Sequence, residues 1–256
     1  MTDFVVAIPS RYASVRLPGK ALRLIAGLPM LQHVWQRATE SEAREVVIAT
    51  DDERIQSAAE DFGATVCMTS DTHGSGTERL AEVADIFAWG DEQVVVNLQG
   101  DEPLMPPGLI RECAELLNDT SADLSTLASP LLSLNDFHDP NIVKVVLDDN
   151  GFALYFSRAA IPYSRGDGND DDAAQSALHH HGIYGYRCSV LRRLVNAAPS
   201  ALEQSEKLEQ LRALSLGLKI KVGRPTQRPG PGVDTEADLA SVNDLLRNLA
   251  APKKSP

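Results

Sequence analysis

Long apolar runs are missing from this 256-residue chain. No stretch approaches the ~20 apolar residues of a membrane span, and no basic segment leads into an apolar one at the amino terminus. The expectation is a cytoplasmic protein with no membrane partner. Cysteine is scarce: Cys67, Cys113 and Cys188 are odd in number, far apart and without metal-ligand spacing. Buried thiols are expected, not a disulfide framework or a zinc site. Positive charge is also short, with 24 Lys plus Arg against 36 Asp plus Glu and a net charge of -12. That balance excludes a broad footprint for a nucleic acid polymer, so any nucleic-acid component should be a single nucleotide.

The 43% hydrophobic content is enough for an ordinary buried core. Short β-branched runs at 4–8, 45–50, 64–68 and 93–99 alternate with segments of helical period, Met30 to Glu40, Asp52 to Phe62 and Thr77 to Ala88. Such alternation predicts an α/β fold with a mainly parallel sheet flanked by helices. A helix after Pro106 and a strand near 124–128 continue it. From Asn141 the texture changes: 142–147 and 153–158 flank Asp148-Asp149-Asn150-Gly151, a hairpin signal that makes the sheet mixed. The polar stretch 164–177 is expected to be a loop, and its aspartates lack the closing Glu of an EF-hand. Ser200 with Glu203 forms a capping box for a helix reaching Gly217, and a last helix follows Asp234-Thr235-Glu236 to about Leu249. Residues 1–249 are thus expected to form a single domain, and 250–256 a frayed tail.

Against the acidic balance, Arg11, Arg16 and Lys20 fall within one short loop directly after the first apolar run. A stiff cationic loop at the carboxyl end of a first strand is where open α/β sheets bind ligands, and it suggests phosphate. It is not a P-loop, because Ser14 stands where the glycine is required and Ala21 where the hydroxyl is required. Gly74-Ser75-Gly76-Thr77-Glu78-Arg79 begins like a dinucleotide fingerprint but puts Arg79 at the third glycine position. Its glycines still allow close approach to a ligand.

Two isolated aspartates complete the pattern. The run Gln93 to Gln99 delivers Asp101 at the end of a hydrophobic strand, with Pro106 and Pro107 starting the next helix too late for Asp101 to cap it. Asp234 follows Pro229-Gly230-Pro231-Gly232, and either it or Thr235 would make a good helix cap. Magnesium takes few protein ligands and shares phosphate oxygens. Asp101 and Asp234 with the three cations therefore suggest a nucleotidyl- or phosphoryl-transfer site with Mg2+ as cofactor.

With these residues in place, positions 3 to 247 closely resemble the 3-deoxy-manno-octulosonate (Kdo) cytidylyltransferase family. The motifs that carry the resemblance are Arg11 to Lys20, Ser75-Gly76-Thr77-Glu78-Arg79-Leu80-Ala81-Glu82, Asn97-Leu98-Gln99-Gly100-Asp101-Glu102-Pro103 and Ala153-Leu154-Tyr155-Phe156-Ser157-Arg158. Gly182-Ile183-Tyr184-Gly185-Tyr186, Leu208-Glu209-Gln210-Leu211-Arg212 and Gly232-Val233-Asp234-Thr235 complete the set.

The resemblance implies a Rossmann-like nucleotidyltransferase fold and a homodimer with an antiparallel dimerisation region about 141–188. It implies transfer of CMP from CTP to the anomeric hydroxyl of Kdo, for lipopolysaccharide biosynthesis. It further implies that Arg11 and Lys20 hold the triphosphate, that Pro9, Ser75, Gly76 and Arg79 line the cytidine pocket, and that Asp101 and Asp234 hold the metal, with Lys20 and both aspartates catalytic. Arg16, Gln99, Arg158, His180, Tyr184, Glu209 and Gln210 fall where the family binds the sugar acid. Arg158 is the expected bidentate partner of the sugar carboxylate.

His179, His180 and His181 alternate in direction on a strand, so they cannot all reach one ion, and only His180 matches the family. His181 stands where an apolar residue is common in relatives. The alternatives are a cytidylyltransferase for sialic acid or 8-amino-Kdo, and a catalytically silent nucleotide-binding protein.

Overall fold

The computed structural model describes residues 2–14, 16–165, 170–225 and 227–250. In chain order the first half runs β1 (Phe4–Pro9), β2 (Leu24–Ile25), β3 (Leu28–Pro29), α1 (Met30–Thr39), β4 (Glu45–Thr50), α2 (Glu53–Asp61), β5 (Thr65–Met68), α3 (Gly76–Ile86) and β6 (Val94–Asn97). Then come α4 (Pro107–Glu115), β7 (Leu124–Pro130), α5 (Leu134–His138), β8 (Lys144–Leu147), β9 (Ala153–Ser157), α6 (Asp171–Ser176) and β10 (Leu178–Arg187). The chain finishes with α7 (Cys188–Val195), α8 (Ala201–Glu206), α9 (Gln210–Ser215), β11 (Ile220–Gly223) and α10 (Glu236–Ala250).

The main sheet has the order β11-β7-β10-β6-β1-β4-β5, with the β8–β9 hairpin joined through β8 to β10. Pairs β1–β4, β1–β6, β4–β5 and β11–β7 are parallel. β10 runs antiparallel to β6 and β7, so the sheet is mixed but mainly parallel. Its central strands β1 and β6 are mostly apolar on both faces, as a sheet covered by helices on each side requires. Along β1, Phe4, Val6 and Ile8 point to the layer of α1, α2 and α4, while Val5 and Ala7 point to the layer of α3, α7 and α9. A third cluster joins Leu17 in the cationic loop, Ile25, Val233 and, from α10, Leu239 and Val242. That cluster fixes the loop after β1 against the segment that carries Asp234.

Three local expectations change. The helix expected from Ser200 to Gly217 is two helices, because Lys207 takes a left-handed conformation (φ 55°) and ends α8, although the capping box is present. Part of the 164–177 loop is helical as α6, while Gly166 to Asn169 lie outside the described residues. Of the expected tail at 250–256, Ala250 is the last residue of α10, and 251–256 lie outside the described residues. α7 and β11 went unread because α7 follows β10 with no side-chain cap to announce it, and β11 is only four residues long.

Candidate active site

The site forms at the carboxyl ends of β1 and β6. β1 ends at Pro9, and the chain turns out with the Ser10 N–H donating to Ala49 O at 2.8 Å. Leu17, fully buried, anchors the middle of the cationic loop. Gly19 then takes φ 64°, and a Cβ there would meet the Tyr12 ring at 3.1 Å, so glycine is required on both counts. Lys20 opens a short 3-10 turn and points back into the cleft.

Lys20 Nζ donates to Asp101 Oδ2 at 2.5 Å and to Asp234 Oδ1 at 2.9 Å. Arg16 reaches the other oxygen of Asp234 at 2.9 Å. The two aspartate segments are tied through the main chain, Val233 N donating to Asp101 O at 2.9 Å. The Thr235 hydroxyl, not the Asp234 carboxylate, exchanges capping hydrogen bonds with Asp238 at the start of α10, and Asp234 adds only its main-chain N–H to Asp238. Asp234 is thus left to face Lys20, which resolves the competition between capping and binding.

Burial opposes the Lys20 charge, but Asp101 and then Asp234 outweigh it and hold its pKa above the ordinary lysine value. The neighbouring Glu102, which sequence reasoning passed over, is pushed up to about 8 by burial and by the charges of Asp101 and Asp234. Its signal was visible as the acid adjoining Asp101. Gly100 allows this crossing, since a Cβ there would come 3.1 Å from Pro9 O.

A cleft of about 430 Å³ opens here, lined by Pro9, Arg11, Arg16, Lys20, Ser75, Gly76, Gln99, Asp101 and Asp234. Ser75 caps α3 by accepting from Glu78 N, and its hydroxyl donates to Glu209 Oε1 at 2.9 Å. Thr77 Oγ1 donates to the other oxygen of Glu209 at 2.8 Å. A smaller cavity of about 60 Å³ lies beyond, lined by Tyr184, Glu209 and Gln210 together with Asn97, Thr77 and Tyr186. Gln99 lines both spaces. The Tyr184 hydroxyl is buried with no hydrogen-bond partner among the described residues, and burial raises its pKa well above the ordinary tyrosine value.

Three residues stand elsewhere than the resemblance implies. Arg79 is fully buried and turns away from the cleft, pairing with Asp51 at 2.8 Å and with the Thr69 hydroxyl. Arg158 lines neither cavity, its guanidinium being committed to the main-chain carbonyls of Glu206 (2.8 Å) and Pro140 (2.9 Å). His180 also lines neither: its Nε2 meets Thr126 Oγ1 at 3.0 Å, and its ring packs between Phe156 and Tyr184. Burial pushes its pKa down to about 3, so it is a neutral wall behind Tyr184. The rings of His179 and His181 lie 4.8 Å apart, apart from the His180 packing, as strand alternation requires.

A mainly parallel sheet whose strand ends gather cations and paired carboxylates into one cleft defines a nucleotidyltransferase-type protein. Comparison with known proteins narrows the class. Residues 5–220 match the family model described as cytidylyltransferase. The 3-deoxy-manno-octulosonate cytidylyltransferase of Haemophilus ducreyi is 50% identical over 247 residues, covering 95% of this chain and 98% of that protein. Its counterpart from Halorhodospira halophila is 52% identical over 250 residues, covering 96% and 97%. A solved structure of CMP:2-keto-3-deoxy-manno-octonic acid synthetase complexed with CTP superposes with a TM-score of 0.89 at 40% identity, covering 97% of this chain and 100% of that one. The chain belongs to the 3-deoxy-manno-octulosonate cytidylyltransferase family.

Proposed function

We propose that this chain transfers CMP from CTP to the anomeric hydroxyl of Kdo. The hydroxyl oxygen bonds to the α-phosphorus and gives up its proton to solvent, the bond from that phosphorus to the oxygen shared with the β-phosphate breaks, and pyrophosphate leaves with the bonding pair. The observation that carries the reading is the convergence of Lys20 on both Asp101 and Asp234 inside the cationic cleft.

Two aspartates that meet one cation are a hard-oxygen pair suited to magnesium. Among the described residues no group of three or more His, Cys, Asp or Glu side chains could hold a metal. A magnesium ion at Asp101 and Asp234 would therefore rely on phosphate oxygens for the rest of its shell. When bound, it would polarise those oxygens and make the sugar hydroxyl a better nucleophile.

The protein's own part is positioning and charge. Lys20 and Arg11 supply donors for the triphosphate, and glycines 74 and 76 let the main chain approach the nucleotide. Gln99, shared by both spaces, orients the sugar relative to the nucleotide. Tyr184 offers a hydroxyl without a partner among the described residues, and Arg16, exposed on the cleft wall, is a cation for the sugar carboxylate once it leaves Asp234.

A homodimer and a cytoplasmic location, where CTP is made, belong to the same proposal. The exposed apolar side chains Leu154 (61%), on β9, and Tyr163 (87%), shortly after it, support a covered face there. No described helix is long and apolar enough to cross a membrane.

The test is pyrophosphate release from CTP with a panel of acidic sugars, with and without magnesium. Turnover with Kdo, dependent on the metal and absent with sialic acid and 8-amino-Kdo, is the expected result. Equal turnover of all three sugars would remove the specificity for Kdo, and none at all would leave a nucleotide-binding protein. Light scattering at micromolar protein should give twice the mass of the 27.7 kDa chain.

A further inference from the structure

The loop from Thr69 to Ser75 brings Gly74, Ser75 and Gly76 to the wall of the cleft. Its first residue is fixed by the sheet, Thr69 N donating to Thr50 O at 2.9 Å. Ser70, His73 and Gly74 are held by the helix the loop leads into, and Ser75 also by Glu209. Glu82 Oε2, on the second turn of α3, accepts from Ser70 N at 2.9 Å and from His73 Nε2 at 2.5 Å. Glu78 Oε2, one turn earlier, accepts from Gly74 N at 2.6 Å. Burial works against the charge of Glu82, but the hydrogen bonds from His73 and Ser70 outweigh it and keep the carboxyl below the ordinary range. An ionised carboxylate can only accept, so His73 is the donor at Nε2.

We infer that His73 is a positioning residue for the nucleotide: the His73–Glu82 clasp fixes the backbone of Gly74, Ser75 and Gly76 against the cleft, without touching the ligand. His73 is absent from the residues lining the cleft, whereas its chain neighbour Gly74 is among them. The tolerance is narrow, because a Cβ on Gly76 would already meet Pro9 Cγ at 3.2 Å. A small drift of the loop changes the space in which the nucleotide lies. Loops with few packed apolar groups open locally at low cost, and a two-hydrogen-bond staple to an adjacent helix raises that cost. The clasp therefore acts on nucleotide affinity and not on the transfer step.

The inference rests on the cytidylyltransferase reading and deepens it. The experiment measures CTP binding to the full chain by titration calorimetry, kcat and KM by pyrophosphate release, and amide hydrogen exchange over residues 70–76 without ligand. His73→Leu should speed that exchange and weaken CTP binding about tenfold, the scale of one charged hydrogen bond. KM for CTP should rise in step, with kcat at saturation within about twofold by the same reasoning. His73→Gln keeps a donor at similar reach and should recover most of the affinity.

CTP affinity unchanged in His73→Leu, or His73→Gln as weak as His73→Leu, would overturn the clasp. A fall in kcat at constant KM would do the same by assigning His73 to the chemistry. If the unmodified chain binds no CTP, the cytidylyltransferase reading fails, and unchanged hydrogen exchange in His73→Leu would then separately refute the clasp.

Discussion

At the scale of single residues, two charged groups that a motif treats alike have opposite duties here. Asp101 is partly exposed in the cleft and faces Lys20, whereas Arg79 is sealed inside and faces Asp51. Asp101→Asn should lower kcat by at least ~100-fold, the scale of losing one placed electrostatic group, while leaving the thermal midpoint nearly unchanged. Arg79→Met should do the reverse. It strands the Asp51 carboxylate beside a buried apolar side chain, so urea unfolding should show a loss of about 3 kcal/mol. A retained midpoint together with a raised KM for CTP would instead put Arg79 on the nucleotide.

The same contrast marks how far the sequence could be read. Asp101 was legible because a strand ends there and the next helix starts too late to claim it. Asp234 was paired with Asp101 from the sequence but competed with Thr235 for the cap, and the structure gives the cap to Thr235. Arg158 and His180 carry family motifs, but a motif does not record which carbonyls or rings surround a side chain. Their partners come from Pro140, Glu206, Thr126 and Phe156, which are distant in sequence or separately folded.

At the scale of elements, the α8–α9 break shows a local rule overruled. Lys207 pays for a left-handed conformation that glycine would accept freely. In return, the break places Glu209 and Gln210 at the start of a new helix, with Glu209 against Ser75 and Thr77. Arg212 locks this arrangement by pairing with Glu203 of the capping box at 2.5 Å. Lys207→Gly should raise stability by about 1 kcal/mol by removing the strain of a side chain at positive φ. Ser200→Ala should lower it by about 1 kcal/mol through loss of the cap. Both are read by chemical denaturation, and a loss in Lys207→Gly would show that its side chain has a packing role. The alternation of strands and helices in the first half was read correctly from periodicity because each element there is amphipathic or apolar by itself. The second half was read less well, since β11 has only four residues and α7 follows β10 with no turn between them.

At the scale of the whole molecule, the histidine strand makes the fold sensitive to acid. Burial pushes His180 and His181 down to about 3, with the adjoining histidines adding to the effect. The unfolded chain, with ordinary histidines near ~6.5, binds more protons than the native state between these values. The stabilising effect of keeping both rings neutral is therefore complete above about pH 6.5 and is lost as the pH falls toward 3. Each histidine should contribute a slope of about 1.4 kcal/mol per pH unit in that window. Urea midpoints at pH 7, 6 and 5 measure it, and His181→Leu should make the slope shallower by the share of that one ring. A pH-independent midpoint would mean that the rings reach water.

β10 has a consequence for the order in which the chain can assemble. It lies between β6 and β7 in the sheet but is synthesised after both. Until Arg187 emerges, the nascent sheet is split, with β6 and β7 each presenting an unpaired hydrogen-bonding edge. At roughly 5–20 residues per second, that interval lasts seconds on the ribosome. Unpaired edges template association with other chains. A message truncated between the codons for Pro130 and Leu178 would therefore yield a sticky product, whereas the full chain supplies its own strand to close the gap.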